Sequence, residues 1–158
     1  MARGADAVGI LGPLEVTAES GGLVALGGAR ARALLAVLLL HANESVSAER
    51  LAVALWGDDA PPGAIKTVQV HMSRLRKALG DGEIVETTPA GYRLRVLPGE
   101  LDAERFDELV DAGRRALADG EPRRASSLLR EALGLWRGPP LSDLAHETFA
   151  AAECRRLE

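Results

Sequence analysis

Between Asp59 and Asp81 the chain has no acidic residue, yet Lys66, Arg74, Arg76 and Lys77 all fall in that gap. Thr67, Gln69, Val70, His71 and Ser73 lie among them. These side chains suit the reading of a nucleic acid duplex. An arginine can give two hydrogen bonds to a guanine edge, a glutamine can read adenine, and a valine can touch a thymine methyl group. Lysine, hydroxyl and imidazole groups beside them can hold phosphate oxygens and so fix the register. On this reading Gln69, Val70 and Arg74 face bases, while Lys66, Thr67, His71, Ser73, Arg76 and Lys77 face phosphates. A second contact is expected from Thr87, Thr88 and Arg93, at the backbone or in an adjacent minor groove.

One helix must carry the first set. Ile65, Val68, Met72, Leu75 and Leu79 recur at steps of three and four, which draws one apolar stripe along about four helical turns ended by Gly80. Lys66, Val70, Ser73, Arg74 and Lys77 fall on the opposite side, with Thr67, Gln69, His71 and Arg76 on the margins. Asp81-Gly82 reads as a turn. The runs Ile84–Thr87 and Tyr92–Val96, joined by Thr88-Pro89-Ala90-Gly91, then read as a β-hairpin.

Upstream, short apolar runs between Val8 and Leu26 are punctuated at Gly12-Pro13 and Gly21-Gly22, which predicts two or three short antiparallel strands. Residues 29–42 are apolar nearly all round and predict a buried helix. Val46 predicts a very short strand. Ser47 is a good N-cap for a short helix carrying Leu51, Leu55 and Trp56 and stopped by Gly57. Downstream of a linker at residues 98–101 everything reads as helical. Asp102 is expected to cap a helix with Phe106, Leu109, Val110 and Leu117 as its apolar positions, closed by Gly120. Pro122 suits the first turn of the next helix, carried by Ala125, Leu128, Leu129, Ala132, Leu133 and Trp136. Gly113, Ala116, Ala125 and Ala132 are the small residues at which this pair must pack. A third helix is expected from residues 142–146 to the end. One helical repeat cannot bury its apolar face alone, so the segment is expected either to be part of a longer domain or to pack its last helices on the first one.

Composition bounds the alternatives. The net charge of −4 argues against coating nucleic acid by bulk electrostatics, so the local concentration of cations matters more than their sum. Cys154 is the one cysteine, which excludes an internal disulfide, and His41, His71 and His146 have no metal-ligand spacing. Gly21, Gly22, Gly27 and Gly28 read as turn glycines rather than a nucleotide fingerprint. No cofactor, no metal and no catalytic set is expected, and an enzyme is disfavoured. The apolar run Leu34–Leu40 is far short of a membrane span, and the N-terminus lacks the unbroken apolar stretch of a secretory signal. A cytoplasmic protein with no membrane partner is expected.

A basic outer face alone is what many surface helices show. The order of elements sharpens it: small sheet, three helices and a hairpin make a winged helix-turn-helix, whose third helix reads DNA. The expected fold class is thus an α+β winged helix over residues 1–97 followed by an all-α, TPR-like segment over residues 102–158.

The stretches GAIKTVQVHMSRLRKALG and IVETTPAGYRLRV resemble the OmpR-type winged helix, in its third helix and its Gly-Tyr-Arg wing strand. The resemblance implies bases facing Val70 and Arg74, phosphates facing Lys66, Thr67, His71 and Arg76, and a structural role for Tyr92. The wing tip departs from it, because Thr87-Thr88-Pro89-Ala90-Gly91 lacks the arginine that some members place in the minor groove. In residues 132–158, Leu135-Trp136-Arg137-Gly138-Pro139-Pro140-Leu141-Ser142-Asp143 resembles the bacterial transcriptional activation domain of the Streptomyces antibiotic regulatory protein family. That resemblance implies an activator of secondary-metabolite biosynthesis genes that binds direct repeats of double-stranded DNA, as a homodimer there, and recruits RNA polymerase holoenzyme. It also implies a truncated activation domain. A repressor with the same DNA domain, or a helical-repeat scaffold using the winged helix for protein contact, remains open on the residues alone.

Overall fold

The computed structural model describes residues 7–18, 20–80 and 84–158. Two short strands, β1 (Ala7–Gly9) and β2 (Glu15–Thr17), pair antiparallel with Val8 opposite Val16. Thr17 and Leu23 add an isolated antiparallel bridge, so the third expected strand is reduced to one contact. Helix α1 (Ala29–Leu40) follows, ending two residues earlier than its apolar run. Eight of its twelve residues are buried, which is why it has no polar face to present. Asn43 turns the chain out of α1 in the left-handed region, at φ 64°. Its amide clasps the Val96 backbone, accepting from the N–H at 2.9 Å and donating to the carbonyl at 3.1 Å. Asparagine tolerates that conformation because its short polar side chain can bond locally.

β3 (Ser45–Val46) leads into α2 (Ala48–Trp56), whose N-cap Ser47 accepts the Arg50 N–H through its hydroxyl at 3.1 Å. A 3-10 turn at Gly57–Asp59 and the prolines then deliver α3 (Ala64–Ala78). Its first turn has no acid and its last turn carries Arg76 and Lys77, an arrangement that complements the helix dipole at the C-terminal end. Val68, Met72, Leu75 and Leu79 form its buried stripe against α1 and α2. Burying each such side chain contributes roughly 1.5–3 kcal/mol before entropy is charged against it. The start of the stripe differs from the spacing argument. Ala64 is buried, whereas Ile65 is 37% exposed. Gly63 starts the helix from a left-handed φ of 77°, and this sets which side of the first turn faces the core.

The wing is β4 (Val85–Thr88) and β5 (Gly91–Leu94), and the sheet order is β3-β5-β4. Thr88 pairs with Gly91, so the turn is the two residues Pro89-Ala90 rather than the longer loop expected. Gly91 is required there. Its φ is 146°, and a Cβ would collide with the Val46 carbonyl and the Ser47 Cα of the adjoining strand end. The turn expected at Asp81-Gly82 lies outside the described residues.

Helices α4 (Asp102–Ala118) and α5 (Pro122–Gly134) form an antiparallel pair, with Pro122 in the first turn of α5 as expected. Their contact is made by the small residues: Ala116, Ala125 and Ala132 are almost fully buried, and a Cβ on Gly113 would lie 2.8 Å from the Leu129 Cδ2. Close approach at these positions pushes larger residues to the flanks. Leu117 and Leu133, read as apolar core positions, are therefore 55% and 67% exposed. The third expected helix divides into a 3-10 turn at Ser142–Leu144 and α6 (Thr148–Leu157), which packs across α1 and α2.

The helical segment is bonded to the N-terminal sheet rather than hung from a linker. Val8 N–H donates to the Glu100 carbonyl at 2.7 Å, and the Arg137 and Leu141 N–H groups donate to the carbonyls of Leu11 and Ile10 at 2.8 and 3.0 Å. Asp102 is not the N-cap expected; Leu101 holds that place. The Asp102 carboxylate instead accepts the backbone N–H groups of Ile10 at 2.8 Å and Leu11 at 3.0 Å. Arg137 joins the same seam, 3.0 Å from Glu15 and 3.7 Å from Asp102. Leu101, Ala103, Leu141, Leu144 and Ala150 share one buried apolar cluster with α1, α2 and α3.

Candidate nucleic-acid interface

The outer face of α3 collects Lys66, Gln69, Val70, Ser73, Arg74 and Lys77, all exposed. Among the described residues none of their side chains makes a hydrogen bond or an ion pair. Val70 stands 45% exposed in the middle of this polar surface. Thr67 and His71 lie half-buried on the margin, with the Thr67 hydroxyl donating to the Gly63 carbonyl at 3.2 Å. The His71 pKa is lowered from its usual 6.5, first by burial, then by the positive charges of Arg74 and of Arg30 on α1. His71 is therefore held toward its neutral form.

Arg76 is placed differently from its neighbours. Its Nε donates to the Val85 carbonyl at 3.2 Å, its Nη2 donates to the Thr87 hydroxyl at 2.6 Å, and its guanidinium lies 5.7 Å from the centre of the Tyr92 ring. It ties the C-terminal half of α3 to both strands of the wing. Arg93 is bonded within the wing, donating through Nε and Nη2 to Glu86 directly across the hairpin at 2.9 and 2.6 Å. Arg95 approaches the other oxygen of Glu86 at 3.5 Å. Thr88 shares a hydrogen bond of 3.0 Å with Ser45. Hence the exposed α3 residues form one open surface, whereas Arg76, Thr87, Thr88 and Arg93 are engaged in setting the wing's position.

Sequence reasoning missed two contributors. Arg30, in the first turn of α1, donates from Nη1 to the Leu55 carbonyl and lies 5.1 Å over the Trp56 ring at the end of α2, and its charge is one of the causes that lower the His71 pKa. The only trace it left was a basic residue within an apolar helix. Glu86 was the other, and its signal was an acid facing Arg93 across a two-strand register. Among the described residues no group of three His, Cys, Asp or Glu side chains converges for a metal, and no helix is long and apolar enough to cross a membrane.

A small sheet, three helices and a wing, with an unpaired basic face on the third helix, define a winged helix-turn-helix of the transcription-regulator class. Residues 24–94 match the family described as "Transcriptional regulatory protein, C terminal", and residues 101–158 match the "Bacterial transcriptional activator domain". The two matched parts follow one another in this chain in the arrangement of the Streptomyces antibiotic regulatory protein family, which it resembles across both.

Similar proteins include Regulatory protein AfsR of Streptomyces coelicolor, 40% identical over 88% of this chain and 14% of that protein. Transcriptional regulatory protein EmbR of Mycobacterium tuberculosis is 39% identical over 91% of this chain and 39% of its own length. Transcriptional regulator RedD of S. coelicolor is 38% identical over 86% and 40%. A solved structure of M. tuberculosis EmbR in complex with a low-affinity phosphopeptide superposes with a TM-score of 0.92 at 36% identity, covering 98% of this chain and 42% of that one. The chain thus spans less than half the length of each of these relatives.

Proposed function

We propose that this chain is the DNA-reading part of a transcriptional activator, with α3 lying in the major groove. Gln69, Val70 and Arg74 read base edges, and Lys66, Thr67, His71, Ser73 and Lys77 hold the flanking phosphates. Arg76 and Arg93 act one step back, setting the angle of the wing so that Thr87 and Thr88 meet the backbone or minor groove. Residues 102–158 belong to the activation segment, which engages RNA polymerase in the cytoplasm, and no catalytic step is involved. Binding to direct repeats as a homodimer fits the family, in which the reader is repeated along the operator.

The observation that carries this reading is the unpaired outer face of α3, where an exposed valine sits between cations that have no acidic partner among the described residues. A merely solvated face does not call for an exposed β-branched residue at its centre, whereas a groove-facing one uses it against a thymine methyl. Selection of bound duplexes from a random DNA pool tests it. Enrichment of a motif repeated about one helical turn apart is expected; absence of any enriched sequence at low salt contradicts the proposal.

A further inference from the structure

The cations of the reader helix and those of the wing are held in opposite ways. On α3, Lys66, Arg74 and Lys77 pair with no acid among the described residues. In the wing, one carboxylate holds two arginines. A single oxygen of Glu86 accepts both hydrogen bonds from Arg93, at 2.9 and 2.6 Å, and the other oxygen lies 3.5 Å from the Arg95 Nη1. Strand alternation puts these three side chains on the wing face turned away from the core. Val85 and Leu94, which point the other way, are 1% and 2% exposed, whereas the side chains of Glu86, Arg93 and Arg95 are 28%, 43% and 49% exposed. Arg93 lies on the middle strand, between Glu86 and Ser45. One open concavity on this face is lined by Ser45, Glu86 and Arg93 and continues to Pro89 and Ala90 at the turn. The turn itself carries no cation. Ion pairs this exposed add little to folding stability. Their larger effect is on charge, because the arginine that shares a concavity with the wing tip is already neutralised.

We infer that Glu86 masks Arg93 and Arg95, and so holds down the share of DNA affinity that does not depend on sequence. The inference rests on the reading of α3 as the DNA-facing helix. Phosphate contacts strengthen binding to every duplex alike, and they grow with each cation offered. With the wing arginines turned onto Glu86, the cations that reach phosphates are those of α3, whose neighbours Gln69 and Val70 sit against base edges. A wing with open arginines would grip any backbone, and the chain would leave wrong sites more slowly. Glu86 also sets its own negative charge against an approaching phosphate. The wing still meets DNA through Thr87 and Thr88, which carry no charge and add position rather than pull.

The test uses the whole chain and two fluorescently labelled duplexes, one recovered by the selection described above and one of random sequence. Dissociation constants are measured by anisotropy across a salt series for wild type, Glu86→Gln, Glu86→Gln with Arg93→Gln, Glu86→Gln with Arg95→Gln, and Lys66→Ala. Glu86→Gln is expected to steepen the salt slope by about 0.9 for each arginine released, and to tighten binding to both duplexes about eightfold per arginine at about 0.1 M salt. Discrimination between the two duplexes is expected to stay at the wild-type value. Adding Arg93→Gln or Arg95→Gln is expected to take the gain back. Because Glu86 joins the two strands, melting curves accompany each variant, and Glu86→Thr, a residue suited to strands, gives the same reading if Gln loosens the hairpin. An unchanged or shallower slope in Glu86→Gln overturns the mask. So does a gain that survives in both double variants, since lost repulsion from the carboxylate then accounts for it. A lower slope in Lys66→Ala beside an unmoved Glu86→Gln overturns the mask alone. Failure of the wild type to bind any duplex overturns the DNA-reading proposal itself, and the mask with it.

Discussion

Replacing Asp102 by alanine removes one carboxylate and is expected to loosen both halves of the chain together. Asp102 accepts the backbone N–H groups of Ile10 and Leu11, whose residues are only 2% and 0% exposed. Water has poor access to those donors once the carboxylate is gone. A buried donor left without a partner costs about 1–3 kcal/mol, so two give about 2–6 kcal/mol, and partial entry of water brings the expectation to about 3 kcal/mol. The ion pair with Arg137 at 3.7 Å is long and adds little to this sum. The protein has two tryptophans, Trp56 in α2 and Trp136 just after α5, so the halves can be followed separately by urea unfolding of Trp56→Phe and Trp136→Phe backgrounds. Coincident transitions that shift together on Asp102→Ala are expected, since Leu101, Leu141 and Leu144 share the core of α1. A loss below about 1 kcal/mol on the scale of a single ordinary hydrogen bond, or two separated transitions, refutes the reasoning.

Three further outcomes follow from particular contacts. Asp143 accepts the Leu14 N–H at 2.9 Å and pairs with Arg32; burial pushes its pKa up, but the Leu14 N–H and Arg32 outweigh that and hold it below its ordinary 3.8. This stability is complete above pH 3.8 and is lost as pH falls through the folded-state pKa, so urea midpoints of wild type should drop more steeply below pH 4 than those of Asp143→Asn; parallel curves count against the linkage. Arg76→Ala should cost about 1–2 kcal/mol, the scale of its two hydrogen bonds at a partly exposed seam, and speed hydrogen exchange at the Thr87 and Tyr92 amides. Unchanged exchange together with a lower salt slope would instead make Arg76 a phosphate contact. Lys66→Ala should weaken binding to every duplex alike and reduce the salt slope by about 0.9, and a slope identical to wild type excludes the phosphate contact.

Much of the winged helix could be read from the residues because its determinants are local. The alternation of Val68, Met72, Leu75 and Leu79 needs only helical geometry, and Ser47 needs only its own first turn. The errors fall where a distant element decides. Asp102 has the residue type of an N-cap, but the unpaired N–H groups of Ile10 and Leu11 lie 92 and 91 positions away in sequence and claim its carboxylate. Leu117 and Leu133 have the spacing of core residues, yet the close contact through Gly113 and Ala125 turns them outward. In the candidate site, the open face of α3 follows from periodicity, whereas the pairing of Arg93 with Glu86 follows from strand register, which no linear spacing displays. Arg30 was hidden for the same reason, since its partners Leu55 and Trp56 are on α2.

The central claim is that Arg74 reads a base from the middle of α3. Arg74→Ala should be assayed by gel shift against the selected operator and every single-base variant of it. A loss of discrimination of about 1–3 kcal/mol confined to one base pair is predicted; an operator profile superimposable on that of wild type contradicts it.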